Sequence, residues 1–219
     1  MFWEKEIETM PRKDLEALQL KRLKDTINRA SAAPCYRDIP GKAGRKELES
    51  LEGIRALPFT SKNDLRDHFP YGYLALDINE AVRLHSSSGT TGLPTVVFHT
   101  ASDIDAWQNL MARCIHMSGG RKGDVFQNMM GHGLFTGGLG FHYGAEKVGM
   151  LVIPIGPGNS KRQVWFMQQF GTTVIHILPS YALRIHEIME EMGVNPQRDL
   201  ALRVAFLGAE PHTEAVRRK

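Results

Sequence analysis

Cysteine is scarce in this 219-residue chain. Cys35 and Cys114 stand far apart, in no spacing that pairs thiols or holds a metal. A disulfide framework and a cysteine-based metal centre are thereby excluded, and the pair reads as free thiols in a reducing compartment, Cys114 on a buried helix face. A dominant charge sign is lacking too. Lys and Arg number 27 against 24 Asp and Glu, and the net charge of +3 is too weak to steer the chain to nucleic acid or an anionic membrane. The one basic cluster, Arg217-Arg218-Lys219, reads as a solvated helix end. Long hydrophobic runs are absent: Met150-Leu151-Val152-Ile153-Pro154-Ile155 is far too short to cross a bilayer. Met1 to Glu6 is charged where a secretory signal would be apolar. The expectation is a cytoplasmic protein with no nucleic-acid or membrane partner. What remains is ordinary globular composition, 42% hydrophobic and 23% charged, enough to bury a core in one large domain or two small ones.

Along the chain, Asp14 to Arg29 has helical periodicity, with Leu15, Leu18, Leu23 and Ile27 on one face. Ala32-Ala33-Pro34 ends it, and Gly41 and Gly44 mark a loop in the mixed stretch up to Leu51. Ser61 and Asp64 stand at capping-box spacing, which starts a short helix closed by Pro70 and Gly72. Asp103 to Met117 is a core-facing helix. From Asp124 onward, short apolar strands alternate with helices: strands at Val125–Met130, Leu151–Ile155, Thr173–Leu178 and Leu202–Leu207, and helices at Gly138–Val148, Ser160–Phe170 and Tyr181–Met192, with another starting at Thr213. That alternation predicts an α/β fold, a parallel sheet covered on both sides, with its ligand at the carboxyl ends of the strands. The strand ends are rich in small residues, notably Gly131 to Gly140 and Gly208-Ala209-Glu210-Pro211.

One stretch stands apart. His85-Ser86-Ser87-Ser88-Gly89-Thr90-Thr91-Gly92-Leu93-Pro94-Thr95 gathers hydroxyls and glycines between the apolar runs Ala81–Leu84 and Val96–Phe98. Backbone N–H groups and hydroxyls in such density suit a polyphosphate. The loop contains no charged side chain, and Leu93 stands where a Walker loop has its lysine. A flexible Ser/Gly linker is the rival reading, opposed by the strand-like flanks and by Pro94. His132 and His142, near the glycine-rich end, read as hydrogen-bonding or structural groups rather than general bases. His85, His99, His116 and His176 have no mutual spacing that argues for a metal, and Arg66, Arg83 and Arg113 show no role.

Five stretches together resemble one family: Leu57 to Arg66, Arg83 to Gly92, Gly133 to Lys147, Leu178 to Leu183 and Gly208 to Pro211. In this order they are similar to the N-terminal part of the phenylacetate–CoA ligases, a branch of the adenylate-forming enzymes. The resemblance implies activation of an aryl acid with ATP and Mg²⁺ to an acyl-adenylate, then transfer to coenzyme A. It implies Ser86, Ser87, Ser88, Gly89, Thr90, Thr91 and Gly92 around the phosphates, and Gly208, Ala209, Glu210 and Pro211 beside the adenine or adenylate. Phe135, Gly137, Gly138, Tyr143 and Gly144 would border the aryl-acid pocket. Thr95 and Leu93 occupy places where relatives carry Lys, which weakens charge pairing to phosphate. The family's Mg²⁺-binding Glu motif, ribose-binding Asp and C-terminal catalytic Lys have no match, so no metal ligand and no catalytic residue is assigned. The expected organisation is a mainly helical segment over 1–80, the ATP loop and an incomplete α/β sheet over 81–219, and no C-terminal domain. Such a chain is expected to be inactive alone. Its expected partners are a small aryl acid and a second polypeptide supplying the missing part or a second copy. The alternatives are one half of a split two-chain enzyme and a non-catalytic nucleotide- or aryl-acid-binding module.

Overall fold

The computed structural model describes residues 2–37, 48–89 and 92–218. Gly41, Gly44, Thr90 and Thr91 therefore lie outside the described residues. The chain divides into two compact units, Glu4–Ile104 and Met1–Trp3 with Asp105–Lys219.

The first unit begins with α1 (Lys5–Glu8) and α2 (Arg12–Ala30), whose half-buried stripe of Leu15, Leu18, Leu23 and Ile27 is the periodicity seen in the sequence. Pro34 opens the short α3 (Pro34–Arg37), at a first helical position where a missing N–H is harmless. The capping box at Ser61 is formed: Asp64 N–H donates to Ser61 Oγ and Ser61 N–H to Asp64 Oδ2, starting α4 (Lys62–Asp67). β1 (Ala81–Ser86) and β2 (Val96–Thr100) then pair antiparallel as a sheet of their own, with Ser86 opposite Val96. The Ser/Gly/Thr stretch is thus a hairpin loop. α5 (Ala101–Met117) follows directly, and the division between the units falls inside it.

The second unit contains β3 (Val125–Asn128), α6 (Thr136–Val148), β4 (Leu151–Ile153), α7 (Ser160–Phe170), β5 (Val174–Ile177), α8 (Pro179–Glu191), α9 (Pro196–Asp199), β6 (Val204–Leu207) and α10 (Glu214–Arg217). The strands pair in parallel in the order β4-β3-β5-β6, the α/β arrangement the alternating pattern predicts. Because successive side chains of a strand point to opposite faces, Phe126 and Val174 pack with Ala112, Ile115, Ala145 and Val148 of α5 and α6. Met129, Ile175 and Ile177 pack on the other face with Val164, Met167, Ile185, Ile188 and Met189 of α7 and α8. Each large apolar side chain so buried stabilises the unit by roughly 1.5–3 kcal/mol.

Two expectations need correction. Cys114 is exposed: the buried stripe of α5 runs through Ile104, Ala112 and Ile115, and Cys114 falls beside it. α6 begins at Thr136 rather than Gly138, so the glycine-rich stretch at the end of β3 is already helical from Thr136. The glycines permit close helix packing there. A Cβ on Gly140 would lie 2.6 Å from Trp107 Cζ2, and one on Gly144 2.6 Å from Met111 Cβ, both on α5.

Candidate functional site

The hairpin loop is closed by its own hydroxyls. Ser87 N–H donates to the Thr95 carbonyl (3.0 Å), and Thr95 N–H donates to Ser87 Oγ (2.9 Å). Ser86 Oγ donates to the Ser87 carbonyl. Ser88 and Gly92 are exposed, while Gly89 takes φ +69° at a turn where a Cβ would lie 3.1 Å from the Gly92 carbonyl oxygen. The loop contains no charge, but the fold brings one to it. Arg66 of α4 donates from Nε to the Leu93 carbonyl (3.2 Å), and its guanidinium carbon lies 4.0 Å from where a Gly92 Cβ would sit. Sequence reasoning missed Arg66, because 27 residues separate it from Leu93 and nothing local marks it.

The other candidate residues belong to the second unit: Gly208 to Pro211 follow the carboxyl end of β6, while Phe135, Gly137, Gly138, Tyr143 and Gly144 lie at the start and along α6. After β6, Ala209 has φ +66°, left-handed backbone that a non-glycine residue adopts only under constraint. The constraint is visible next door. Glu210 Oε2 accepts from Ser180 N–H (3.0 Å) and Oε1 from Ser180 Oγ (2.8 Å). α8 has no cap from its own flanking residue, so Glu210 satisfies one of the helix's orphan donors from outside. The Ser180 hydroxyl, then its N–H, holds the Glu210 carboxyl below the usual range. The Glu210 side chain is thereby committed to α8. Pro211 is exposed, and Gly208 has nothing within 4 Å of where its Cβ would stand. Ser180 also lines a cleft of about 450 Å³ with Met129, Gly131, Gly158, Leu178 and Tyr181, between the ends of β3, β4 and β5.

At the start of α6, Phe135 is exposed and Gly137 faces open space. Tyr143 is half-buried, its ring beside that of His142. Gly138 and Gly144 are buried, and protein atoms occupy the space next to them: Gly131 O would lie 2.4 Å from a Gly138 Cβ, and Met111 fills the place beside Gly144. A residue the sequence did not single out ties this region together. Asn128, fully buried at the end of β3, donates from Nδ2 to the Gly138 carbonyl (2.8 Å) and meets His132 Nε2 at 3.1 Å. Its Oδ1 accepts from Met130 N–H (3.2 Å) and from His176 Nδ1 (3.3 Å). The only sequence signal was a pair of amides, Gln127-Asn128, inside an otherwise apolar strand.

His176 is covered by Phe141, ring centroids 4.0 Å apart, and burial, then neighbouring His132, pushes it down to about 4. Burial and His142 also hold His132 below its usual value. Among the described residues no group of three or more His, Cys, Asp and Glu could hold a metal ion. Among the described residues, too, no helix is long and apolar enough to cross a membrane.

No family model matches the chain. It is 45% identical over 222 aligned residues to a phenylacetate-coenzyme A ligase of Thermus thermophilus, covering all of this chain and 50% of that protein. It is 47% identical over 203 residues to the phenylacetate-coenzyme A ligase of Pseudomonas putida, covering 91% of this chain and 46% of the relative. Among solved structures, 2-hydroxyisobutyryl-CoA ligase, in an open conformation with 2-HIB-AMP and CoA, superposes with a TM-score of 0.87 at 30% identity. That match covers 99% of this chain and 53% of the other. The chain spans about half the length of the curated relatives it matches. By sequence it is a relative of the phenylacetate-coenzyme A ligases, and its fold is the α/β architecture of adenylate-forming ligases.

Proposed function

We propose that this chain supplies the phosphate loop and the sheet-edge half of an aryl-acid CoA ligase, in which a carboxylate attacks the α-phosphate of ATP and the acyl-adenylate passes to coenzyme A. The observation that carries the reading is 45% identity, along the whole chain, to a phenylacetate-coenzyme A ligase. The geometry agrees with what such a reaction needs. Displacing pyrophosphate requires negative charge to be held by donors already in place, because donors that must reorganise lose most of their effect. The hairpin loop from Ser86 to Gly92, Thr90 and Thr91 included, is assigned that task, with the Arg66 guanidinium beside it. Gly208, Ala209, Glu210 and Pro211 are assigned to the adenine or adenylate. Glu210 acts by holding the strained turn on α8, so that the ligand meets backbone rather than carboxylate. Phe135, Gly137 and Tyr143 are assigned to the wall of an aryl pocket, where an aromatic face suits a flat ring. Gly138 and Gly144 support that wall from behind. In the same reading coenzyme A and Mg²⁺ are held mainly by sequence matching the rest of the relatives' length.

Two measurements test this. Calorimetry with ATP on the 219-residue chain is expected to show binding that Thr91→Ala weakens; unchanged affinity in the variant removes the loop from the site. Pyrophosphate release with phenylacetate, ATP and Mg²⁺ is expected only when a polypeptide matching the other half of the relatives is added. Robust turnover by this chain alone overturns that division of labour. ATP binding without any acid-dependent pyrophosphate release, even with that polypeptide present, favours the second reading, a nucleotide-binding module.

A further inference from the structure

The Asn128 amide has only one orientation its neighbours allow. Met130 N–H can only donate, so the atom it meets is Oδ1; the Gly138 carbonyl can only accept, so the atom it meets is Nδ2. The two backbone groups therefore dictate the state of both imidazoles. His176 Nδ1, opposite Oδ1, must carry a hydrogen. His132 Nε2, opposite an N–H of Nδ2, must present a lone pair, which makes His132 neutral with its proton on Nδ1. All four hydrogen-bonding positions of a side chain with no solvent exposure are then used. They join the end of β3 to the loop after it, to the first turn of α6 and to β5. A proton on His132 Nε2 would set N–H against N–H and break one of these bonds.

We propose that Asn128 is a positioning residue that works through the proton state of His132: it holds the loop after β3 against α6 and β5 while His132 is neutral, and loosens that loop, through loss of the His132 bond, when His132 is protonated. The titratable groups facing His132 are His142 of α6, its ring 5.4 Å away and its Nε2 paired with Glu146 at 3.1 Å, and His176 of β5. Two of these neighbours are imidazoles, Glu146 is engaged by His142, and among the described residues no carboxylate is bonded to His132. The loop leads into Phe135 and Gly137, and its service to an aryl-acid pocket rests on the ligase reading above. The clamp itself does not.

The test uses the 219-residue chain labelled with ¹⁵N. Long-range ¹H–¹⁵N spectra at pH 7.5 are expected to show both His132 and His176 in the Nδ1–H form. As the pH falls to 5, exchange of the Asn128 side-chain amide protons, corrected for intrinsic rate, is expected to quicken at least tenfold, in step with the titration of His132. His132→Gln keeps an acceptor that does not titrate and is expected to abolish the response. Asn128→Asp replaces the donor with a carboxylate and is expected to raise the His132 midpoint by at least one pH unit. An Nε2–H tautomer at His132, or Asn128 protons indifferent to its titration, overturns the proposal, and both are read on the unmutated chain. No ligand is present in these measurements, so the ATP and phenylacetate experiments fail or succeed independently of them.

Discussion

Arg66 and Glu210 reach their partners only through folding, and they do opposite things with charge. Arg66 brings a cation to a loop that has none of its own, and a guanidinium bonded to phosphate oxygens is stronger than a neutral donor. Arg66→Gln is expected to weaken ATP binding about tenfold, or ~1.4 kcal/mol, and Arg66→Lys by less, as read by calorimetry. Equal affinity in both variants would detach Arg66 from the nucleotide. Glu210 is spent inside the protein, where its carboxylate serves the first turn of α8. Its folded-state value is depressed, so its stabilising effect is present above the ordinary carboxylate range and lost as pH falls through it. Glu210→Ala is expected to lower the denaturation midpoint at pH 7 and to narrow the difference between pH 7 and pH 3. The hydroxyl-rich loop was legible from its composition. Arg66 was not, since its role depends on where α4 sits and no local pattern encodes that.

Among the elements, α6 carries the most information for its length. Gly140 and Gly144 lie one turn apart on the side facing α5, where Trp107 and Met111 come within 2.6 Å of the missing Cβ atoms. Gly144 also faces Met111 backbone, which cannot swing aside as a side-chain end can. Gly144→Ala gains about 1 kcal/mol of helix propensity but must push two helices apart, at about 1–3 kcal/mol. The net expectation is a lower urea midpoint with an unchanged slope, and Gly144→Val should fall further. A raised midpoint would mean the helices have room to separate. Periodicity located this helix to within two residues; Gly140 stood out in a glycine-rich strand end, and Gly144 only through the family resemblance. What they approach was not legible, because a glycine that admits a ligand and one that admits a helix look alike until the neighbour is known.

At the scale of the whole molecule, two buried groups on the second unit contribute to the acid response. Burial alone would push Asp124 up, but the Arg203 guanidinium, the Arg121 N–H and the Thr173 hydroxyl outweigh it and hold it below its usual 3.8. Asp124 thus stabilises the fold above that range and ceases to do so as pH falls through it. His176 is depressed from 6.5 to about 4, so the unfolded chain takes up its proton first. Its contribution is complete above about pH 6.5 and is lost on descending toward 4, on the order of 3 kcal/mol across that window. Denaturant titrations at pH 7.5 and 4.5 are expected to show this loss, and His176→Gln should flatten it. An equal loss in the variant would assign the acid sensitivity elsewhere. Arg203→Met leaves Asp124 buried with fewer partners and is expected to cost roughly 1–3 kcal/mol at pH 7, the Arg side chain being 42% exposed.

The sequence by itself determined the α/β class, the order and near-bounds of the strands and helices from Asp124 onward, the capping box at Ser61 and the hydroxyl-rich loop between two strands. All of these depend on residues close together in the chain, through a period, a cap or a cluster of hydroxyls. The tertiary structure decided which face of α5 is buried, so that Cys114 lies outside it. It also decided what the glycines of α6 approach, which carboxylate caps α8, which guanidinium reaches the hairpin loop, and which proton each imidazole around Asn128 must carry. Those outcomes depend on contacts between residues distant in the chain, such as the 48 positions from Asn128 to His176, and no window along the sequence contains both ends of such a bond.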